Sequence, residues 1–86
     1  LICHDNALTK LNVKNCTALF YLFFDDNQLT SLDLSKNAEL EMISCITNPL
    51  KELDVSNCKN IRNIKCSTGL NVIGAGENTD IQYNNK

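Results

Sequence analysis

The chain has 86 residues, 43% of them hydrophobic, 6% aromatic and 21% charged, with a formal net charge of -2. A chain this short makes one small domain that buries only about 60 to 65% of its unfolded surface, and its charge supplies neither a basic footprint for nucleic acid nor a polybasic membrane anchor. The longest apolar run, 18–24, stops at Asp25 and Asp26, well short of the ~20 residues of a membrane span, so neither nucleic-acid binding nor membrane insertion is expected.

The first element, at 1–4, sets the pattern for the rest. Leu1, Leu22, Ile43 and Ile64 stand 21 residues apart, and with them Cys3, Phe24, Cys45 and Cys66, then Asn6, Asn27, Asn48 and Gly69. Further columns follow in the same register: Leu8/Leu29/Leu50, Leu11/Leu32/Leu53, Val13/Leu34/Val55 and Leu19/Leu40/Ile61. A fixed period of this length predicts a solenoid, in which each coil buries its apolar side against its neighbours. The chain does not open on Met, and 1–4 falls in register with later strands rather than with the start of a coil. A piece trimmed from a longer protein, or one processed after loss of a signal peptide, is expected. A terminal coil without a polar cap exposes its apolar columns, so self-association across that end or a frayed first coil is expected.

Each coil then turns at its Asn and runs through Leu11-x-Val13, Leu32-x-Leu34 or Leu53-x-Val55, whose spacing suits an extended or turn-like segment. No stretch has the length and period of an α-helix. The next strands are predicted near 21–24, 42–45 and 63–66. Alternation sends Leu22, Phe24, Ile43, Cys45, Ile64 and Cys66 inward, and Tyr21, Phe23 and Asp25 outward, beside Met42, Ser44 and Ile46 and then Asn63, Lys65 and Ser67. Ile2 and His4 lie on the other side of Tyr21 and Phe23. The Asn column is read as structural, because a side chain that recurs once per coil serves the repeat rather than a single site. The period breaks after Cys66. Leu70, Val72 and Ile73 precede Gly74-Ala75-Gly76 and the alternating Asp80-Ile81-Gln82-Tyr83, which reads as a closing cap with a turn and one last strand over 70–86. Gly74-Ala75-Gly76 lacks the strand-loop-helix setting of a phosphate-binding loop.

Five Cys in so short a chain raise the question of disulfides, yet the number is odd and three of them occupy the core column. Cys3 and Cys45, like Cys16 and Cys58, are two coils apart, about 10 Å, beyond disulfide reach. Cys45 and Cys66 stack directly, but at about 4.8 Å, wider than the usual Cβ separation of about 3.8 Å. All five are therefore expected to be reduced, with Cys3, Cys45 and Cys66 acting as small buried hydrophobes. Alternation places His4 on the surface and Cys3 inside, and no C-x-x-C pair exists, so a tetrahedral metal site has no framework. The same separation leaves Cys, His4 and Asp5 without the hydrogen-bond reach that nucleophile and base require. Neither enzyme activity, metal nor cofactor is expected. Asn15-Cys16-Thr17 matches the short N-glycosylation triplet and carries little weight.

The unit Leu-x-x-Leu-x-(Cys/Phe)-x-x-Asn-x-Leu resembles the leucine-rich repeat. Its best copies are Leu19, Leu22, Phe24, Asn27, Leu29 and Leu40, Ile43, Cys45, Asn48, Leu50. The period of 21, the strand Cys and the Leu-Asp-(Leu/Val)-Ser tracts at 32–35 and 53–56 are similar to the cysteine-containing 21-residue subclass of internalin-like bacterial surface proteins and leucine-rich proteins of the Bacteroidetes. The resemblance covers 1–69. It implies a right-handed, helix-poor solenoid of the α/β superhelix class, with parallel strands on a concave face and an extended convex face. It further implies a secreted or cell-surface, non-enzymatic binding module used in adhesion or other protein–protein interaction, with a protein or glycan ligand.

The residues add one surface to that framework. Phe20, Tyr21 and Phe23 are three of only five aromatics, and Met42 and Ile46 continue the patch on the next coil. Contiguous exposed apolar surface marks interaction sites, and aromatics are favoured anchors. Candidate binding residues are thus Tyr21, Phe23, Met42, Ile46, Phe20, His4, Asp25 and Lys65, with the aromatic patch also able to mediate self-association. The competing expectation is a spacer or stalk segment whose face contacts nothing specific.

Overall fold

The computed structural model describes residues 7–84. Within them the chain forms six strands and no helix: β1 (Tyr21–Phe23), β2 (Met42–Ser44), β3 (Glu52–Asp54), β4 (Asn63–Ser67), β5 (Asn71–Ile73) and β6 (Asp80–Asn84). They assemble into a four-stranded sheet of order β1-β2-β4-β6 and a two-stranded sheet of order β3-β5. Every one of these pairings is parallel. The result is a helix-free solenoid of parallel strands with about three turns. The strand expected at 1–4 lies outside the described residues.

The sequence columns are the pairing register. Leu22 lies against Ile43 and Ile43 against Ile64, one period apart. The last turn is shorter: Ile64 lies against Ile81, a step of 17 residues, and Leu53 against Val72, a step of 19. Residues 71–73, on the side expected to be merely extended or turn-like, pair with 52–54 as a second sheet.

Alternation decides what is buried. Leu22, Phe24, Ile43, Cys45, Ile64 and Cys66 line the inside of the larger sheet, and Val13, Leu34, Leu53 and Val55 close the core from the opposite side, all at 2% exposure or less. Leu29 and Leu40 fill the middle between them. Leu32, in the same column as Leu53, is only partly buried.

Turns return the chain at each end of a coil, and each has a local cause. After the β1 and β2 strands the backbone enters the left-handed region at Asp26 (φ 58) and Thr47 (φ 60), one period apart, and in the last turn at Gly69 (φ 95). That conformation strains a β-branched residue, and the Ser67 hydroxyl accepts the Thr47 amide at 2.8 Å to hold it. Beside these turns stands the expected asparagine ladder. Asn27 Oδ1 accepts the Leu8 amide and Asn48 Oδ1 the Leu29 amide, each from the preceding coil. Their Nδ2 groups donate to the carbonyls of Phe24, the first at 3.0 Å and the second at 2.9 Å.

At the opposite corner two successive turns recur in every coil, closed by the amides of Cys16 and Leu19, then Asn37 and Leu40, then Cys58 and Ile61. Asn37, fully buried, donates Nδ2 to the carbonyls of Val13 and Cys16 in the coil before. The Leu-Asp-x-Ser tracts acquire a reason here. Asp33 and Asp54 accept the amides of Ser35 and Ser56, as Asn12 accepts that of Lys14, which turns the chain into the corner. Hydrogen bonds from the Ser35 and Ser56 side chains, then from their amides, hold both carboxyls below the ordinary range. Gly74 (φ 83) is required sterically as well, since a Cβ there would lie 2.6 Å from Ser56 Cα.

Candidate binding surface

The outward rows of the larger sheet bring the sequence-predicted residues together. Register places Tyr21 beside Met42, then Asn63 and Asp80, and places Phe23 beside Ser44, then Lys65 and Gln82. The Tyr21 and Phe23 rings, two residues apart on one side of β1, stack with centroids 6.2 Å apart and planes inclined by 12°. Tyr21 is 48% exposed and Phe20, just before it, 49%. Phe23, Met42 and Ile46 are half-buried. The Phe20 carbonyl accepts the amides of Glu41 and Met42, so the aromatic segment is fixed to the start of β2. An aromatic shelf thus runs along β1 and β2, and the same face turns polar toward β6 through Asn63, Lys65, Asp80 and Gln82. Lys65 is exposed in that polar half. His4 lies outside the described residues.

Asp25 lies on the outward side with Ser44, the neighbour of Phe23 on β2. Ser44 Oγ donates to both its carboxylate oxygens, at 2.8 and 3.0 Å, and the Ile46 amide donates to Oδ1 at 2.7 Å. The carboxylate thereby ties the end of β1 to the end of β2, and Ser44 is itself buried. Sequence reasoning had the signal for this pair, because an acid and a hydroxyl one coil apart at adjacent columns are natural partners.

Among the described residues Cys45, Cys58 and Cys66 are free and buried, and Cys16 is free and exposed. Burial pushes the Cys45 thiol up to about 12, with the Cys66 and Asp25 charges adding to the effect. Burial first, and then Asp54, pushes Cys58 up to about 11, and burial raises Cys66 as well. A thiol that stays protonated is neither a nucleophile nor a metal ligand. No group of three or more His, Cys, Asp or Glu able to hold a metal ion occurs among the described residues. A hollow of about 520 Å³ lies against Glu41, Lys59, Asn60, Ile61, Arg62 and Asn78, with Arg62 and Glu41 3.9 Å apart. It is an open corner between coils whose charges face each other. No helix among the described residues is long and apolar enough to cross a membrane. Comparison with protein-family models, curated proteins and solved structures gives no match.

Proposed function

We propose that the chain is a non-enzymatic binding module of the leucine-rich-repeat type, a right-handed solenoid from a secreted or surface-exposed bacterial protein. Its concave sheet would recognise a protein or glycan partner. The observation that carries this reading is the stack of exposed Tyr21 on half-buried Phe23, beside exposed Phe20 on a fixed backbone. Rigid aromatics with one open face give large contact area for little lost side-chain entropy, which suits both protein hot spots and sugar rings. Met42 and Ile46 extend the shelf, while Lys65 is a rim position.

The test is Tyr21→Ala with Phe23→Ala, followed by capture from a host-cell surface extract and binding to a glycan panel. Loss of central aromatic anchors costs roughly 2 kcal/mol or more in an interface of this kind, so capture should fall at least about thirtyfold while the circular dichroism of the fold persists. Lys65→Ala should change it little. The polar half of the same face, Asn63, Lys65, Asp80 and Gln82, favours a second reading in which the coils only lengthen a stalk. Unchanged capture by the aromatic double variant would decide for that spacer.

A further inference from the structure

The turn at the end of the shelf carries a strain that the fold does not ask for. Thr47 follows Ile46 with φ 60, and a β-branched residue in the left-handed region is a steric outlier. Other coils show what the turn accepts with less strain. Asp26, one period earlier, takes the same conformation (φ 58), which Asp tolerates, and the last turn uses Gly69 (φ 95). Thr47 stays in place because its neighbours fix the chain around it. The Ile46 amide donates to Asp25 at 2.7 Å, the Ile46 carbonyl accepts the Asp26 amide at 2.8 Å, and the Thr47 amide donates to Ser67 Oγ at 2.8 Å. To these bonds Thr47 contributes only its amide, which any residue but proline supplies. Its side chain is exposed, and its hydroxyl bonds nothing among the described residues. A strained residue whose side chain does nothing for the fold points to a use outside it.

What stands around that hydroxyl sets the chemistry it suits. The Asp26 carboxylate, in the same column one coil back, is likewise exposed and bonds nothing among the described residues. Ile46 of the shelf adjoins Thr47 directly, and Phe23 lies three residues before Asp26, about 10 Å away at the rise of a strand. This end of the shelf therefore joins an apolar aromatic surface to an acceptor-only carboxylate and to a hydroxyl that both donates and accepts. A sugar has the matching parts: an apolar C–H face and a rim of hydroxyls that also donate and accept. The charge of Asp26 turns away sulfated or carboxylated chains, and about 10 Å from ring to turn suits a short chain of sugars rather than a lone one. We propose that Thr47, with Asp26, is the polar specificity contact of the shelf for a neutral oligosaccharide. This inference rests on the shelf being the recognition surface and names the class of ligand that sits there.

The probes are short neutral oligosaccharides of glucose, galactose and mannose, with a sulfated oligosaccharide beside them, titrated to millimolar concentration into the 86-residue chain and followed by calorimetry. At least one neutral chain should bind, and the sulfated one should not. Thr47→Gly should bind that neutral chain about fivefold more weakly, the effect of one lost neutral hydrogen bond. It should melt no lower than the parent, because the strain leaves with the side chain. Thr47→Ser keeps the hydroxyl without the branch, so it should bind like the parent and melt higher. Binding lost in Tyr21→Ala with Phe23→Ala but kept in Thr47→Gly would overturn the inference and leave the shelf reading standing. Binding kept by the aromatic double variant would overturn both. A Thr47→Gly melt well below the parent would overturn the inference too, since threonine would then be serving the fold. So would a chain that takes the sulfated probe equally well, or one that binds no neutral oligosaccharide while the aromatic residues still govern capture of a protein.

Discussion

Asn48→Ala should destabilise the fold more than Asn37→Ala, although Asn37 is fully buried and Asn48 only half-buried. The difference lies in what each amide leaves behind. Asn48 Oδ1 accepts the amide of Leu29, a residue at 0% exposure, at 3.1 Å, so truncation strands a buried donor at a cost of about 1 to 3 kcal/mol. Its Nδ2 also donates to the carbonyls of Phe24 at 2.9 Å and Cys45 at 3.4 Å; losing these adds about 1 kcal/mol, because Phe24 keeps the bond from Asn27. Asn37 Nδ2 donates to the carbonyls of Val13 and Cys16, but those already accept the amides of Cys16 and Leu19. Asn37 Oδ1, moreover, is buried without a partner, so removing it relieves a cost. That leaves about 1 kcal/mol for Asn37→Ala against about 3 kcal/mol for Asn48→Ala. A chain of this size holds roughly 4 to 13 kcal/mol in all, and each kcal/mol moves the melting point by about 4 to 8 °C. Thermal melts of both variants, with hydrogen exchange at the Leu29 amide, test the reasoning. Equal melts, a reversed order, or Leu29 protection unchanged in Asn48→Ala would refute it.

Leu53→Ala should cost about 2 to 5 kcal/mol, because Leu53 is 1% exposed. Leu32→Ala should cost visibly less, because Leu32 is partly buried, and urea midpoints at a constant m-value measure both. High pH should unfold the protein through its thiols: Cys45 and Cys58 lie near 12 and 11 when folded against an ordinary 9.0. Below pH 9 both states keep these protons and stability is intact. Above it the unfolded chain releases protons that the folded chain retains, so stability falls by about 1.4 kcal/mol per pH unit per thiol until the folded values are reached. The urea midpoint of Cys45→Ala with Cys58→Ala should therefore drop less between pH about 8 and about 10 than that of the parent. Equal drops would show that the two thiols are not withheld from solvent.

Inward positions could be read from the sequence because parallel in-register stacking asks the same thing of each turn. Leu22, Ile43 and Ile64 meet the same neighbours, and so do Asn27 and Asn48, whose amides each reach one coil back. The shortened last turn hid its own columns: Val72 reaches Leu53 and Ile81 reaches Ile64 only when steps of 19 and 17 replace 21. Asn37 was hidden differently, since Cys16 and Cys58 occupy its column and nothing periodic announces a buried amide there. Asp25 shows the limit of alternation, which fixes the side of a strand but not the sideways turn of a carboxylate toward Ser44. The outward rows follow the opposite rule. Tyr21, Met42, Asn63 and Asp80 change type at every turn, as do Phe23, Ser44, Lys65 and Gln82, because a solvent-facing position on a stacked sheet owes its neighbours little. Where the fold demands nothing, a costly choice needs another cause. Exposed aromatics at Phe20 and Tyr21 are such a choice, so their cost at positions that stacking leaves unconstrained is what makes the shelf the surface to test.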